Sequence, residues 1–587
     1  MRQRVWAVTA AAIAIGGLGF ASDASATVGS IPVGLSWQTN GRVEQIVVSG
    51  STAYMVGDFT SVRPAGDPLG TGEVARGYGA AVNLNTGALL PWNPAASSTI
   101  QTAVVNGSTV YLGGLFTKLG GKSHSHLGAV DATTGAVNQT WKPKTNAQVM
   151  SLALGANGLY VGGAFTTVNA VADTYLAEVD LNTGAQVPGF AGQTNNKVNA
   201  VALTSDGSRL VIGGTFTTVD GTNNQHIAAV NPTTGAVAAW SSHTTYGITT
   251  LAVDANGVYA AGTGAGGTVV AFNPTTGAQL WVGGLDGNDQ AIAVMAGIVY
   301  VGGHFNNYCG HQTGANRCTT PIARDHLLAL DETTGDLQDW HPSANGVLGV
   351  FSLAGSGGTL EAGGDFTQIG GVSQQGFAEF PVITDPTVTD TAGGQPTTAS
   401  SVTVTASGST DPAPGFAGYR YETSTDGGIT WSANHNLSSV TVTAVGTTLV
   451  QFQAYDSYGN TSDWVTDTVT IQPPQGTASV SFTAASTGTI GSTGNATIHG
   501  TYTCSGASTI TISGTLNEAS TGAQGSFSLQ LACPNSTTST KWQTVVKPST
   551  PAVFAAGSTA ESFTWSATDL GDDQPIGGTI SKAVTIS

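Results

Sequence analysis

The segment Val198–His243 constrains this chain more than any other: VNAVALTSDGSRLVIGGTFTTVDGTNNQHIAAVNPTTGAVAAWSSH. Four short apolar runs (VNAVALT, RLVIGGTFTTV, HIAAVN and AVAAW) alternate with turn residues, a pattern that predicts four antiparallel strands. Variants of the segment fill residues 31–383. A four-stranded unit recurring every ~40–50 residues predicts a β-propeller, because one unit alone cannot bury both faces and a ring of stacked units can.

Counting the parts predicts the number of units. The second strand, ending in a glycine pair and an aromatic, recurs at 54–60 (YMVGDFT), 111–117 (YLGGLFT), 160–166, 211–217, 300–306 and 361–367, with a degenerate copy, YAAGTGA, at 259–265. The turn after the third strand recurs at 83–87 (NLNTG), 131–135 (DATTG), 180–184, 231–235, 273–277 and 331–335. Its leading Asn or Asp can bond its own backbone and its closing Gly can take positive φ, so the turn is tight. Trp92, Trp141, Trp240, Trp281 and Trp340 end the fourth strands, with Phe190 in the third copy. Seven second strands against six turns leave the last unit, from about Gly346 to Ile383, one strand short. The run Leu35-Ser36-Trp37 resembles the segment around Trp340. The expectation is therefore a seven-bladed β-propeller over residues 27–383, closed by an N-terminal strand containing Trp37.

These motifs resemble the delta-sixty type of bacterial propeller repeat and, more loosely, the quinoprotein-type repeat with its VYVG, LYALD, TG and W elements. The resemblance implies the propeller fold. Quinoprotein dehydrogenases use a cofactor platform with metal-binding acids and, in many, adjacent cysteines. Neither feature occurs in this sequence, so no cofactor, no metal and no such activity are expected.

From Ile383 onward the repeats stop. Residues 384–474 read as short alternating strands (SSVTVTASGS, GYRYETSTD, TLVQFQAYDS, DTVTIQ), and residues 475–587 as a second Thr- and Ser-rich β unit. The first resembles bacterial extracellular Ig-like or fibronectin-type-III-like modules, and the second is similar to secreted actinobacterial accessory domains. The fold class expected for the whole chain is all-β, a propeller followed by two β-sandwich domains. Ser424–Trp431 (STDGGITW) matches the sialidase Asp-box. Sialidases carry several copies inside their blades, whereas this single copy lies outside the repeats. It is read as a hairpin-turn device in which Asp caps the turn and Gly supplies positive φ.

Residues 1–26 read as a secretory signal peptide: Arg2 and Arg4 precede the apolar run Val5–Ala21, and Ala24-Ser25-Ala26 offers a small-residue cleavage site. No other stretch reads as a membrane span. The expected location is secreted, either extracellular or loosely associated with a cell wall. In an oxidising compartment the four cysteines read as two local disulfides, Cys309 with Cys318 and Cys504 with Cys533. The net charge of −18, thinly spread, argues against nucleic acid and anionic membrane as partners.

Blade order places the loops between second and third strands on one face. They are longest in blade 1 (61–77) and blade 6 (306–325), and variable loops on a rigid scaffold carry binding. The candidate ligand-binding side chains are Arg63, Arg76, Tyr308, His311, Arg317 and Arg324. His126, His226 and His326 share one repeat position and are expected to be structural rather than metal ligands. Three functions fit the sequence. The first is a secreted binding protein whose propeller engages an extracellular protein or carbohydrate, with the sandwich modules as spacer or tether. The second is a polysaccharide-active hydrolase or lyase, which for hydrolysis needs two carboxyls about 5–9.5 Å apart. Asp58 and Asp365, equivalent positions in blades that ring closure makes neighbours, are the candidate pair. The third is a structural cell-surface protein. The sequence specifies no oligomeric state.

Overall fold

The computed structural model describes residues 26–33, 36–156, 158–240, 242–263, 266–311, 318–411, 415–472, 478–549, 551–570 and 574–587. Apart from Ala26, the expected signal peptide lies outside them. Their regular secondary structure is all strand. The chain divides into two compact units. One holds the described residues up to Asp385 together with Ser409–Ala417 and Ala454–Asp463; the other holds Pro386–Gly408, Gly418–Gln453 and Trp464–Ser587.

The first unit is a β-propeller. Its antiparallel sheets follow one another along the chain, and we number them 1 to 7. Their first strands are Val43–Ser49, Ile100–Asn106, Val149–Leu154, Val198–Leu203, Ile248–Val253, Asp289–Met295 and Val350–Gly355. Each first strand packs against the next, and the last packs against the first, which closes the circuit. Apolar side chains fill each junction. Tyr54 and Val56 of sheet 1, for example, share a core with Val110, Leu112 and Phe116 of sheet 2. Indoles fasten the same junctions: Trp92, Trp141, Trp240 and Trp281 donate Nε1–H to the carbonyls of Asp131, Asp180, Asn273 and Glu332 in the next sheet, at 3.1, 3.0, 3.2 and 2.8 Å.

The expected four-strand unit is modified in two ways. Among the described residues a fourth strand forms in sheets 1 and 5, as Ala88–Leu89 and Gln279–Gly284, and in sheet 7, where Ala26–Val28 supplies it; in sheets 2, 3, 4 and 6 it is a single bridge, Val130 to Val137, Val179 to Gln186, Val230 to Val237 and Leu330 to Leu337. The second run also ends early. Leu210–Gly214 is the strand, and Thr218–Val219 pairs instead with Thr222–Asn223 in a small hairpin. Equivalent hairpins occupy the expected loops of sheets 1, 2, 3, 6 and 7.

The recurring histidines belong to this hairpin. His126, His226 and His326, like Tyr78 and Tyr175, hold φ of 66–68°, and Gly376 in the same slot holds 75°. The His226 N–H donates to Phe216 O, and its carbonyl accepts from Gly214 N, both at 2.9 Å. The position is a left-handed backbone clamp, which accounts for glycine being an alternative occupant.

Ring closure uses a segment upstream of the one expected. Ala26–Val28 pairs antiparallel with Val382–Thr384 at the edge of sheet 7. Pro32 cannot donate to the ladder and interrupts it before Trp37. Trp37 instead precedes Gln38–Thr39, which pairs with the hairpin strand Ser61–Arg63; Leu35 lies outside the described residues. The Trp37 indole still fastens a junction, donating to Gly87 O at 2.9 Å, while Trp340 reaches Gly29 O at 2.9 Å. Asn460 grips the same N-terminal segment through both of its amide atoms: Oδ1 accepts from Ile31 N at 2.8 Å and Nδ2 donates to Ile31 O at 2.9 Å.

Beyond the propeller, two three-stranded antiparallel sheets share a core that includes Val402, Val404, Val450, Phe452 and Val469. The Asp-box is a turn here. Asp426 accepts the Thr430 N–H at 2.9 Å and the Thr430 hydroxyl at 2.6 Å, with Gly427 and Gly428 at positive φ. Residues from Ser479 onward form one continuous eight-stranded network around a core that includes Ile498, Ile512, Trp542 and Phe563. The long strand Ala496–Ser505 links it by pairing with Ser479–Ala484, Thr487–Ile490 and Ser536–Val546. Both expected disulfides are formed, Cys309–Cys318 and Cys504–Cys533.

Candidate functional site at the channel mouth

Every first strand carries a β-bulge at the same repeat position. The extra residues are Glu44, Gln101, Met150, Asn199, Thr249, Gln290 and Phe351. A bulge re-aims the side chain it inserts, and all seven of these residues line one cavity of about 450 Å³ between the first strands. The second glycine of each pair makes room for the bulge. A Cβ on Gly57, Gly114, Gly163, Gly214, Gly303 or Gly364 would overlap a backbone carbonyl oxygen just before the facing bulge. The motif that marks the second strand thus also sets the position of the channel side chains. At the other end the channel is lined chiefly by Val47, Val48, Val104, Val105, Val294 and Leu353.

Polar side chains of the first strands also stitch neighbouring sheets together. Ser352 Oγ accepts from Ile46 N at 2.8 Å, Gln45 Oε1 from Ala103 N at 2.6 Å and Ser151 Oγ from Val201 N at 3.0 Å. Asn199 Nδ2 donates to Ile248 O at 2.7 Å, Thr249 Oγ1 to Asp289 O at 2.9 Å, and Gln148 to Gln101. The wall is therefore held in place by hydrogen bonds.

One ion pair sits at the mouth. Arg42 donates Nε–H to Glu44 Oε1 at 2.8 Å, lies 3.5 Å from Asp58 Oδ2, and rests 4.6 Å above the Phe351 ring. Burial pushes the Glu44 carboxyl up, and the Arg42 guanidinium opposes that shift. The remaining bulge residues are neutral, so the cavity offers amide, hydroxyl, thioether and aromatic groups around one neutralised pair. Chemically this suits reversible hydrogen bonding and stacking.

Most of the loop residues read from sequence have other work. Arg63 is 4% exposed; its Nε donates to Asp67 O at 2.9 Å and its Nη2 to Gln38 Oε1 at 3.1 Å and Gln375 Oε1 at 2.7 Å. It is an internal staple. Tyr308 is likewise buried: it is 3% exposed and its hydroxyl donates to Gly335 O at 3.2 Å. Arg76 and Arg324 occupy equivalent, half-buried positions and donate to Leu90 O at 3.0 Å and Gln338 O at 3.4 Å. His311 is exposed, with Nε2 3.1 Å from Asp336 Oδ1. Arg317 lies outside the described residues.

Asp58 and Asp365 each make a capping bond within their own sheet. Asp58 Oδ1 accepts from Arg42 N at 2.6 Å, and Asp365 Oδ2 accepts from Leu348 N at 3.0 Å, so each caps the segment entering its own sheet. Asp58 acts on Glu44, whereas Asp365 acts on His326 of sheet 6. The two therefore serve different neighbours. Among the described residues no group of three His, Cys, Asp or Glu side chains is placed to hold a metal ion. No helix among them is long and apolar enough to cross a membrane.

The bulge residues went unread in the sequence, although a signal existed. Across the copies VEQI, IQTA, VMSL, VNAV, ITTL, DQAI and VFSL, the second position changes character while the fourth stays apolar.

No family model matches this sequence, and no curated protein matches it either. Among solved structures, the chain is similar to the extracellular domain of a protein described as a one-component system from B. thetaiotaomicron, at 11% identity and a TM-score of 0.34, over 77% of this chain and 58% of that one. It is also similar to a chain of a mitotic checkpoint complex, at 14% identity and a TM-score of 0.40, over 65% of this chain and 99% of that one. A third is the Cps50 (Swd1) β-propeller domain of Myceliophteria thermophila, at 11% identity and a TM-score of 0.39, over 59% of this chain and 98% of that one. This chain thus spans little more than half the length of the first of these relatives.

Proposed function

We propose that this chain is a secreted binding protein: a seven-bladed propeller of the delta-sixty-repeat type, closed by its N-terminal strand, with two β-sandwich modules as spacer or tether. The channel mouth holds the ligand, an extracellular protein or carbohydrate. One observation carries this reading: seven in-register bulges direct side chains of six types, with glutamine twice, into a single cavity. The scaffold around that position is repeated, whereas the residue at it varies from sheet to sheet with only glutamine recurring, which is the pattern of a site adapted to one partner. Neutral amides and hydroxyls with one aromatic ring match ligands rich in hydroxyl or amide groups. Of the side chains first considered for the loop face, exposed His311 and half-buried Arg76 and Arg324 remain open to a large ligand at the rim.

The test is a glycan and peptide array probed with the full chain, with hydrolysis read in parallel. The Gln101→Ala/Asn199→Ala/Gln290→Ala variant is expected to lose the binding that wild type shows, and Arg76→Ala/His311→Ala is expected to weaken it only for large ligands. Binding retained by the triple channel variant would refute the channel as the site. Turnover of a bound glycan would replace the binding reading with an enzymatic one.

A further inference from the structure

Where sheet 7 meets sheet 1, two carboxyl side chains face each other. Glu361 on Thr359–Gly364 lies directly opposite Glu379 on Phe377–Thr384, so both leave the same face of sheet 7. In sheets 1, 2, 5 and 6 this slot holds Tyr54, Tyr111, Tyr259 and Tyr300 opposite Ala81, Ala129, Ala271 and Ala329. Neighbours on each strand fix the direction. A Cβ on Gly363 would lie 2.7 Å from Val43 Cγ1 and 3.0 Å from Ile46 Cδ1 of sheet 1. Phe377 belongs to the cluster of Val43, Ile46 and Met55. Side chains two residues apart share a face, so both glutamates point at sheet 1.

The pair is enclosed and lacks a counter-charge among the described residues. Glu361 is 0% exposed and Glu379 4%. Thr359 donates its hydroxyl to Glu361 Oε1. Glu361 Oε2 and Glu379 Oε1 are buried with no hydrogen-bond partner among the described residues. Of the surrounding strands, Thr52–Gly57, Gly79–Asn83, Val350–Gly355 and Ala26–Val28 carry no charged side chain. Val43–Ser49 carries Glu44, which is bonded to Arg42. Arg63 on the adjoining hairpin is bonded to Gln38 and Gln375. The other charged group acting on the pair is a third acid, Asp411. Two buried carboxyls in such surroundings are tolerated when they are protonated.

We propose that Glu361 and Glu379 are a proton-binding pair that latches the propeller at its closing seam, and that release of their protons to solvent loosens sheet 7 from sheet 1. Burial raises Glu361 to about 7, and burial with the charges of Glu361 and Asp411 raises Glu379 to about 8. Glutamate in an unfolded chain titrates near about 4.3. Both folded values are raised, so the stabilisation is fully present below about 4.3 and is lost as pH rises through about 7 and then about 8.

The test is thermal unfolding of the full chain from about pH 5 to about pH 9, with hydrogen exchange read at Ala26–Val28 and Phe377–Thr384 against the sheet 3 strand Gly158–Gly163. Wild type is expected to lose melting temperature across that range, with the seam amides losing protection relative to sheet 3. Glu361→Gln/Glu379→Gln should flatten the pH dependence. Glu361→Tyr/Glu379→Ala, which installs the pair used elsewhere in the ring, serves the same purpose if the glutamine variant does not fold. A pH dependence unchanged in the folded variant would overturn the proposal. So would a fall in wild-type melting temperature on adding EDTA at about pH 8 that the variant does not show, because the pair would then hold a metal cation instead.

Discussion

Adding one methyl group at Gly214 tests the link between the glycine pair and the channel. Gly214 faces the bulge that presents Asn199. An alanine Cβ there would overlap the Lys197 carbonyl oxygen and stand 3.1 Å from Val198 Cα, both backbone atoms that cannot rotate away. Carbon atoms pack at about 3.5–4.0 Å, so the two strands must separate or the bulge must flatten. Overpacking of this kind costs about 1–3 kcal/mol. Weakening the Gly214 N–H bond to His226 O, 2.9 Å long, adds about 1 kcal/mol. The sum is about 2–4 kcal/mol for Gly214→Ala. Gly207→Ala is the control: its φ is +68° and no heavy atom lies within 4 Å, so only left-handed backbone strain of about 1–2 kcal/mol applies. Urea unfolding followed by tryptophan fluorescence measures both. Gly214→Ala should lower the midpoint clearly more than Gly207→Ala, and should also weaken channel binding through Asn199. Equal midpoints would refute the claim that this glycine exists to accommodate the bulge.

Two further predictions concern the C-terminal modules. Replacing Cys504 and Cys533 by alanine opens the bridge between strand Ala496–Ser505 and the segment before Ser536. A loss of about 2–4 kcal/mol is expected in the unfolding of that module, measured by calorimetry, with propeller unfolding unchanged. The Asp-box turn should resist acid. Hydrogen bonds from Thr430 and Ser424 lower the Asp426 carboxyl to about 2. Its folded value is depressed, so its stabilisation is present above about 3.9 and fades as pH falls through about 2. Exchange of the Thr430 amide should therefore stay slow to about pH 3 in wild type and become fast throughout in Asp426→Ala; equal rates in the two proteins would refute the turn role.

What was legible in the sequence was whatever repetition imposes. The VGG-F run, the TG turn and the closing tryptophan recur because every sheet must make the same junction, so the propeller followed from counting them. Three features required the third dimension. The His126, His226 and His326 slot was recognisable as a repeat position, but its left-handed backbone was signalled only by Gly376 standing in it. Trp37 matched Trp340 because both indoles fasten a neighbouring segment; pairing at the sheet edge is a separate property, and it falls to Ala26–Val28. Arg63 read as a loop arginine because the hairpin that buries it depends on residues as distant as Gln38 and Gln375.

The same reasoning separates scaffold from site. A position held constant by geometry cannot also be tuned to a ligand, so candidates must come from slots where the repeat tolerates change. Two kinds of change exist in this ring. At the bulge slot six residue types occupy seven sheets, glutamine occurring twice, and the side chain enters a shared cavity, as expected of recognition. At the tyrosine slot of the second strand four copies agree on Tyr opposite Ala, and sheet 7 alone brings two glutamates together. Sheets 3 and 4 also depart, with Tyr160 opposite Glu178 and Val211 opposite Ala229, but only the sheet 7 pair sets two carboxyls face to face; at the closing seam, enclosed and without a counter-charge among the described residues, it is poorly placed to contact a ligand and well placed to control how firmly the ring is shut. Recognition is therefore best sought in Gln101, Asn199 and Gln290, and pH dependence in Glu361 and Glu379. Because no residue belongs to both sets, variants in one should leave the other's readout unchanged.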